Sequence, residues 1–520
     1  MSGMNGLGIT GGPARGMTIG FGWLDTTVLL AYCTALASIG WWAARKKSTT
    51  TDEYFLAGRA IPWLVTTASF LATCISALTF VGTPSEGYGG DFRYMFSNLG
   101  DIAASIFVAM VLLPFYQAHK VTSIYEAVER KMGRTVRSAC SGYFILTRTL
   151  ASTVRIVAIA KVLEVVSGGG LSFPVCVIAT VAAILLYTTA GGGRAIAWTD
   201  LMQFCLLIGG GVVALFYIAA HVPGGFGAIV DAGRHAIKPD GTVYDKFNFL
   251  ELLKPENLGL FFLLGIWGFF NSSAAYGTDQ DMVQRLLACN DERKARWSLI
   301  ISGLISIPIT GLFLFIGVGL YAYAKIHPAL IAGMTDNDHI FPRFILTTMP
   351  PGLRGLLLAA VASAAMGSSD SALASLTTAF TVDFYKPYFG QGKSEVELVA
   401  ASKKFFVVFG VLFVVFALLM RNLDNLLWLA FRMVAYTYGP LLGTTLVATM
   451  TDWKIDGRKV LGLMLSSTVF TFTLAMTAKW QVDHGTASVF WTQLNATYWR
   501  LYVIFGALAV PAGCWVLRER

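Results

Sequence analysis

Between Leu356 and Phe380 the chain reads LLLAAVASAAMGSSDSALASLTTAF, an apolar, small-residue run with hydroxyls, a glycine and one acid at its centre. At about 100° per residue on a helix, Ala364, Ser368, Ser371 and Ser375 share one narrow face, and Asp370 lies on its flank. A carboxylate at mid-membrane costs about 2.5–3.5 kcal/mol on insertion scales, so Asp370 is expected to serve a function. Hydroxyls and carboxylates are also the hard oxygen ligands that a small cation takes. Helix packing uses Ser, Gly and Ala in the same way. Packing accounts for the serines and leaves the aspartate unexplained, so the expectation here is an ion site.

A second polar stretch, LTRTLASTVRIVAIAKVLEVV, puts Arg148, Arg155 and Lys161 inside an apolar span. Other chemistries find little support. The seven cysteines are scattered and form no C-x-x-C pair, which argues against a disulfide framework, a zinc site or a redox motif. No motif assembles a nucleophile, a base and oxyanion donors, so an enzyme is not expected.

These residues sit in a chain of 520 residues that is 55% hydrophobic and 13% charged. Soluble proteins carry about 25% charged residues. The class expected is therefore an all-α polytopic membrane protein, with the lipid bilayer as its surroundings. The net charge of +9 does not point to nucleic acid, because the basic residues cluster in loops between apolar spans. No obligate protein partner is evident. The first twenty residues are glycine-rich, lack an apolar core and read as a loose tail rather than a signal.

Hydropathy predicts thirteen spans, at 23–44, 62–83, 95–117, 138–167, 173–189, 199–221, 258–281, 297–325, 354–382, 402–420, 425–451, 460–478 and 498–517. Lys and Arg favour 45–59, 118–137, 190–198, 282–296, 383–404, 452–459 and 518–520, which places these segments inside, the N-terminus outside and the C-terminus in the cytoplasm. The membrane expected is the plasma or inner cell membrane. The second span holds Thr, Ser and Cys at its centre and ends in Gly and Pro. The seventh reads as similarly interrupted, at Gly268, Asn271, Ser272, Ser273 and Gly277. Paired interrupted spans point to inverted repeats around a mid-membrane site, although weak helices within a bundle give the same pattern. The organisation expected is a tail (1–22), a peripheral span and loop (23–61), repeat 1 (62–221), an outer loop (222–257), repeat 2 (258–451) and two peripheral spans (452–520).

An ordered series of motifs resembles the sodium:solute symporter family from about residue 23 to 451: DEYFLAGRAIPW, ATCIS, KVTSIYEAVERKMGR, GGGRAIAWTDLMQ, GTDQDMVQR, GSSDSALAS with VDFYKP, and YTYGPLLG. The resemblance implies a leucine-transporter-type fold of two inverted five-helix repeats, with alternating access driven by sodium. It carries a first sodium site onto the carbonyls of Ala72, Ile75 and Ala364 and the hydroxyl positions 367 and 368. Ser368 keeps the hydroxyl; Gly367 does not, and water, Ser369 or Asp370 is left to fill its place. A second sodium site, present in some members, maps to Asp200, Ser368, Asp370 and Ser371. The alternative for Asp200 is an interfacial acid or cap. One or two Na+ ions are thus expected, with a proton on a desolvated carboxylate as the alternative.

The same resemblance guides the solute site. Leu78 and Thr79 replace the Glu–Gln pair of sugar-binding relatives. GTPSEGY is similar to the vitamin, iodide and monocarboxylate branch, and SALTF to sialic-acid transporters. Arg155 falls at the position matching the substrate-carboxylate arginine of sialic-acid transporters, where a planar fork pairs well with a carboxylate. The competing reading pairs it with Asp101 or Glu164. Arg432 matches a sugar-binding glutamine, with snorkelling or pairing with Asp424 as its alternative. Ser76, Thr79, Asn98, Asn271, Ser272 and Tyr276 complete the expected lining; the family's inner gating tyrosine position holds Ala275. The function expected is sodium-coupled import of a small organic anion, such as a sialic acid, a monocarboxylate or a vitamin. The rivals are a sugar or polyol symporter, a proton-coupled transporter, and a channel or sensor.

Overall fold

The computed structural model describes residues 22–75, 77–166, 170–238, 240–248, 254–334, 336–422, 426–496 and 498–518. Helix occupies all thirteen expected segments. Among the described residues, eight helices are long and apolar enough to cross a membrane, or nine if one bent pair counts as a span.

The chain runs through α1 (Trp23–Ala44), α2 (Trp63–Cys74), α3 (Ala77–Gly89), α4 (Met95–Phe107), α5 (Arg134–Val166) and α6 (Phe173–His221). It continues with α7 (Leu258–Thr278), α8 (Gln280–Leu287), α9 (Glu292–Ile326), α10 (Leu353–Ala379), α11 (Glu395–Leu419), α12 (Leu426–Met450), α13 (Gly457–Asp483) and α14 (Leu501–Leu517). The segment expected to hold the ion site is α10, and it forms the centre. Its most apolar window is 89% buried within the protein, against 22% for α1 and for α13. A helix buried all round needs small side chains where neighbours cross, and the Ala, Ser and Gly of α10 supply them.

The first break falls where expected. α2 ends at Cys74, Ile75 is extended (φ −89°, ψ 96°), and the axis bends by 61° into α3. Thr73 and Ile75 are weak helix formers, which helps the chain leave the helix here. α3 is then held against α9 by two glycines: a Cβ on Gly87 would stand 2.1 Å from the Leu314 carbonyl oxygen, and one on Gly317 2.2 Å from that of Pro84.

The second break departs from the expectation. α7 is helical through Gly268, Asn271, Ser272, Ser273 and Gly277, and ends only at Asp279 (φ −91°, ψ 118°). Its glycines serve close packing rather than interruption: Cβ atoms would come 2.6 Å from the Ser97 carbonyl oxygen at Gly268 and 2.4 Å from Leu112 at Gly277. The hydroxyls of Tyr116 and Tyr125 cap the carbonyls of Gly277 and Thr278, at 2.7 and 3.0 Å. Backbone freed inside a membrane needs such partners.

The fifth and sixth expected spans form one helical run of 49 residues, with Gly192 in a non-helical conformation (φ 55°, ψ −148°). At about 1.5 Å per residue such a run is more than twice the roughly 30 Å hydrocarbon thickness, so it must turn back. Gly192 makes the turn possible, and its missing Cβ leaves room for the Tyr54 carbonyl oxygen 2.3 Å away. The 222–257 connection carries a short hairpin, β1 (Ala236–Ile237) and β2 (Val243–Tyr244), followed by buried Lys246.

Candidate functional site

Asp200 on α6 is fully buried. Its Oδ2 accepts hydrogen bonds from Ser69 on α2 (2.5 Å) and from the Arg285 guanidinium on α8 (3.0 Å). Arg285 also donates to Ser371 on α10, and its Nε reaches the Ser69 carbonyl at 3.3 Å. A guanidinium thus stands between Asp200 and Ser371, where a second sodium was expected from the sequence.

The same cation leads into a larger network. Arg285 bonds Asp281, which pairs with Arg148 on α5; Arg148 lies 3.4 Å from Asp279, and Asp279 accepts from Tyr438 on α12 at 2.6 Å. Three carboxylates and two guanidinium groups therefore link α2, α5, α6, α8, α10 and α12. Buried charges persist when paired in this way. Sequence reasoning missed the network, although GTDQDMVQR places three charges in nine residues beside an apolar helix.

The Tyr187 hydroxyl donates to one oxygen of Asp370 at 2.6 Å, and the Ser371 amide donates to the other at 2.5 Å. Ser368 donates its hydroxyl to the Ala364 and Ala365 carbonyls at 3.3 and 3.2 Å, leaving its lone pairs for another donor or a cation. The α2 end reaches α10 through Thr73 and Ser371, whose hydroxyls are 3.3 Å apart. Ala72, Ile75 and Ala364 are buried. At Gly367 a Cβ would fall 2.5 Å from Gln203 Oε1 and 3.4 Å from Asp200 Oδ1.

The expected solute residues divide. Arg155 stands two helical turns from Arg148 on the same face of α5, and its Nη1 reaches the Ser368 carbonyl oxygen at 3.4 Å. It forms no ion pair among the described residues. Asp101 instead accepts from Ser272 at 2.5 Å, and Glu164 from the Phe173 amide at 3.1 Å. Asn98 is tied to α9 through Thr310 at 2.8 Å, and Tyr276 packs on Phe70 with ring centroids 5.2 Å apart. Thr79 and Asn271 are half-buried. Arg432 donates to the Asn495 carbonyl at 3.1 Å, away from these residues. Ser76 and Asp424 lie outside the described residues.

The sodium/sialic acid symporter of Proteus mirabilis is 27% identical over 448 residues, covering 86% of this chain and 88% of that one. Sodium-coupled monocarboxylate transporter 1 of Homo sapiens is 28% identical over 418 residues, with 80% and 67% covered. A Na+-coupled sialic acid symporter solved in a substrate-bound outward-open state matches with a TM-score of 0.79 at 23% identity, covering 95% of this chain and 98% of that one. The fold is therefore the leucine-transporter type, two inverted five-helix repeats with peripheral helices. The sodium:solute symporter profile matches residues 54–454. This integral membrane protein is a sodium-coupled symporter of a small solute, and it belongs to the sodium:solute symporter family.

Proposed function

We propose that the protein imports a small organic carboxylate, driven by the inward sodium gradient, across the plasma or inner cell membrane. The observation that carries the anion reading is Arg155. Arg137, Arg148, Arg285 and Arg354 each meet a carboxylate, whereas Arg155 meets a backbone carbonyl. A cation in a largely apolar helix without an internal counter-ion suits an anionic ligand, and a guanidinium offers a bidentate fork to it. Sialic acid and monocarboxylates, named for two relatives, are of this class.

In this reading the first sodium is held by the carbonyls of Ala72, Ile75 and Ala364 and the hydroxyl of Ser368. The extended backbone at Ile75 supports it, because a helix break frees carbonyls. The N-terminus faces outside and the basic loops face the cytoplasm, so the Arg148–Asp279–Asp281–Arg285–Asp200 network lies on the inner side of Arg155. Opening toward the cytoplasm requires its pairs to separate. Sodium binding couples to solute binding by favouring the conformation in which the broken helix is ordered.

The test is uptake into proteoliposomes of radiolabelled sialic acid, pyruvate, pantothenate and galactose, with an inward sodium gradient or with potassium in its place. Sodium-dependent accumulation of one carboxylate is expected, with uptake falling about 100-fold in Arg155→Ala and staying low in Arg155→Lys, since a bidentate site does not accept lysine as an equal. Accumulation of galactose alone, with Arg155→Ala fully active, would overturn the anion reading and favour a sugar, as the name of the Vibrio parahaemolyticus sodium/glucose cotransporter, 26% identical over 411 residues, suggests.

A further inference from the structure

We infer that the cytoplasmic end of α1, with the residues that follow the Gly192 turn in α6, binds an anionic phospholipid. Two grooves receive its acyl chains, and two arginines receive its phosphate. This lipid site draws on the proposed function only for the orientation that puts the basic loops in the cytoplasm, and it involves neither the solute nor sodium.

One groove runs down α1 from Leu30 to Trp41, over Cys33, Thr34, Ala37 and Ser38. At 1.5 Å per residue this stretch is about 16 Å long, which is half of a hydrocarbon core about 30 Å thick, so the groove has the length of one leaflet. Its hydroxyls are engaged on the helix itself: Thr34 donates to the Leu30 carbonyl and Ser38 to the Thr34 carbonyl, each at 2.7 Å. Neither hydroxyl proton is left unpaired in the groove, which suits an acyl chain. A second groove shares Ser38 with the first and is bounded by Ile39, Trp42 and Trp198. Two adjoining grooves that end at one depth match a lipid with two chains.

A guanidinium lies over the indole that ends each groove. Arg45 Cζ is 3.7 Å from the Trp41 ring centroid and Arg194 Cζ 4.2 Å from that of Trp42, whose ring meets Trp198 edge-on with centroids 5.8 Å apart. Stacking uses the face of a guanidinium and leaves the N–H groups at its edge, the arrangement that pairs with phosphate oxygens. Among the described residues neither side chain has a hydrogen-bond or ion-pair partner. Lys46 and Lys47 add exposed charge beside Arg45. Glu53, the acid that faces Lys46, is engaged by the Thr49 amide and hydroxyl at 2.8 and 3.0 Å. Tryptophan and basic residues are common at the inner face of membrane proteins, where an arginine that only snorkels extends into water. These two are instead held against rings at the ends of grooves. The site thus carries an excess of positive charge at the depth where anionic headgroups lie.

The test is retention of phosphatidylglycerol against phosphatidylcholine of the same chains by the purified full-length protein, read by native mass spectrometry from mixed micelles. Wild type is expected to retain phosphatidylglycerol preferentially. Arg45→Gln with Arg194→Gln is expected to raise the mole fraction for half-occupancy about 25-fold, about fivefold for each cation at the membrane surface. Arg293→Gln with Lys294→Gln removes as much charge from another basic loop and is expected to stay within about twofold of wild type. Ala37→Phe fills the first groove without altering charge; Ala37 is exposed, so the helix tolerates the larger side chain. It is expected to weaken retention about fivefold, as displacing about one buried methylene would. A wild type without preference overturns the inference. So does an equal loss from the Arg293 and Lys294 pair, which reduces the effect to general attraction between a basic face and anionic lipid. Unchanged retention in Ala37→Phe overturns the role of the groove, and displacement of the lipid by inorganic phosphate marks a site for soluble anions instead; either result removes the phospholipid assignment. Sodium-driven uptake is a separate measurement, so the lipid site can fail while the symporter reading stands.

Discussion

Two buried aspartates each meet an arginine, and the resemblance ends there. Asp25 on α1 is saturated: one oxygen accepts from the Gly352 and Gly355 amides at 2.9 and 2.8 Å, the other from Gly22 and from two nitrogens of Arg354 at 3.1, 3.0 and 2.6 Å. Asp200 accepts from Ser69 and Arg285 on one oxygen and, among the described residues, from nothing on the other. A saturated carboxylate has no better arrangement to move to, so Asp25 clamps α1 to the start of α10. A half-engaged carboxylate can exchange partners at small cost. The difference separates a fastener from a working site more clearly than burial or charge does, since both residues are fully buried and both are paired.

Substitution should divide the two along these lines. Asp25→Asn removes the carboxylate against which Arg354 is buried, and breaking one side of a buried pair costs about 3–5 kcal/mol. A large drop in the thermal midpoint of the purified protein is expected, with the sodium half-saturation of the surviving folded fraction unchanged. A shift in sodium affinity would break the comparison and make Asp25 part of the working site. Asp200→Asn is expected to act in the opposite sense. Its amide still fits, and Arg285 keeps Asp281 as a counter-ion, so the thermal midpoint should fall less than in Asp25→Asn. Gradient-driven uptake should fall about 100-fold, about 2.8 kcal/mol of coupling at 1.4 kcal/mol per decade. Full uptake in Asp200→Asn, measured under the same sodium gradient, would reduce Asp200 to a structural acid.

The central helix α10 was legible because its signal is local: hydroxyls and an acid inside an apolar run need no partner segment to stand out. The first broken helix was legible for the same reason, through weak helix formers at Thr73 and Ile75. The charge network was not, because Arg285 and Asp200 are distant in sequence and their pairing depends on the fold. The seventh span misled because glycine has two uses. In sequence Gly268 and Gly277 look like helix breakers, but in space they admit Ser97 and Leu112.

A smaller effect tests whether close approach, rather than charge, holds α3, the second half of the broken helix. Gly317→Ala would drive a Cβ to 2.2 Å from the Pro84 carbonyl oxygen, which is backbone and cannot swing aside. Overpacking of this kind costs about 1–3 kcal/mol. The expected outcome is a lowered thermal midpoint together with altered uptake, because α3 is displaced against α9. A midpoint lowered with uptake per folded molecule unchanged would place the crossing among the fasteners with Asp25.

The 222–257 connection offers the smallest and most selective perturbation. Lys246 donates to the Tyr88 and Gly90 carbonyls at 2.7 and 2.8 Å and to the Tyr244 hydroxyl at 2.9 Å, joining the 222–257 connection to the end of α3. Burial pushes its amine down from 10.5 to about 8, with nearby Lys325 acting in the same direction and Asp91 opposing it. Between these two values the released loop binds more protons than the docked one. Docking is therefore expected to strengthen as pH rises from about 8 toward 10.5, the sign required when a base has its pKa lowered by the folded state. Limited proteolysis within 222–257 at pH 7.5 and 9.5, normalised to an unstructured peptide of the same sequence, should show greater protection at the higher pH. Lys246→Met should remove that pH slope. A wild-type loop that loosens as pH rises would mean that the charged ammonium, not its hydrogen-bond geometry, is what fastens the loop to α3.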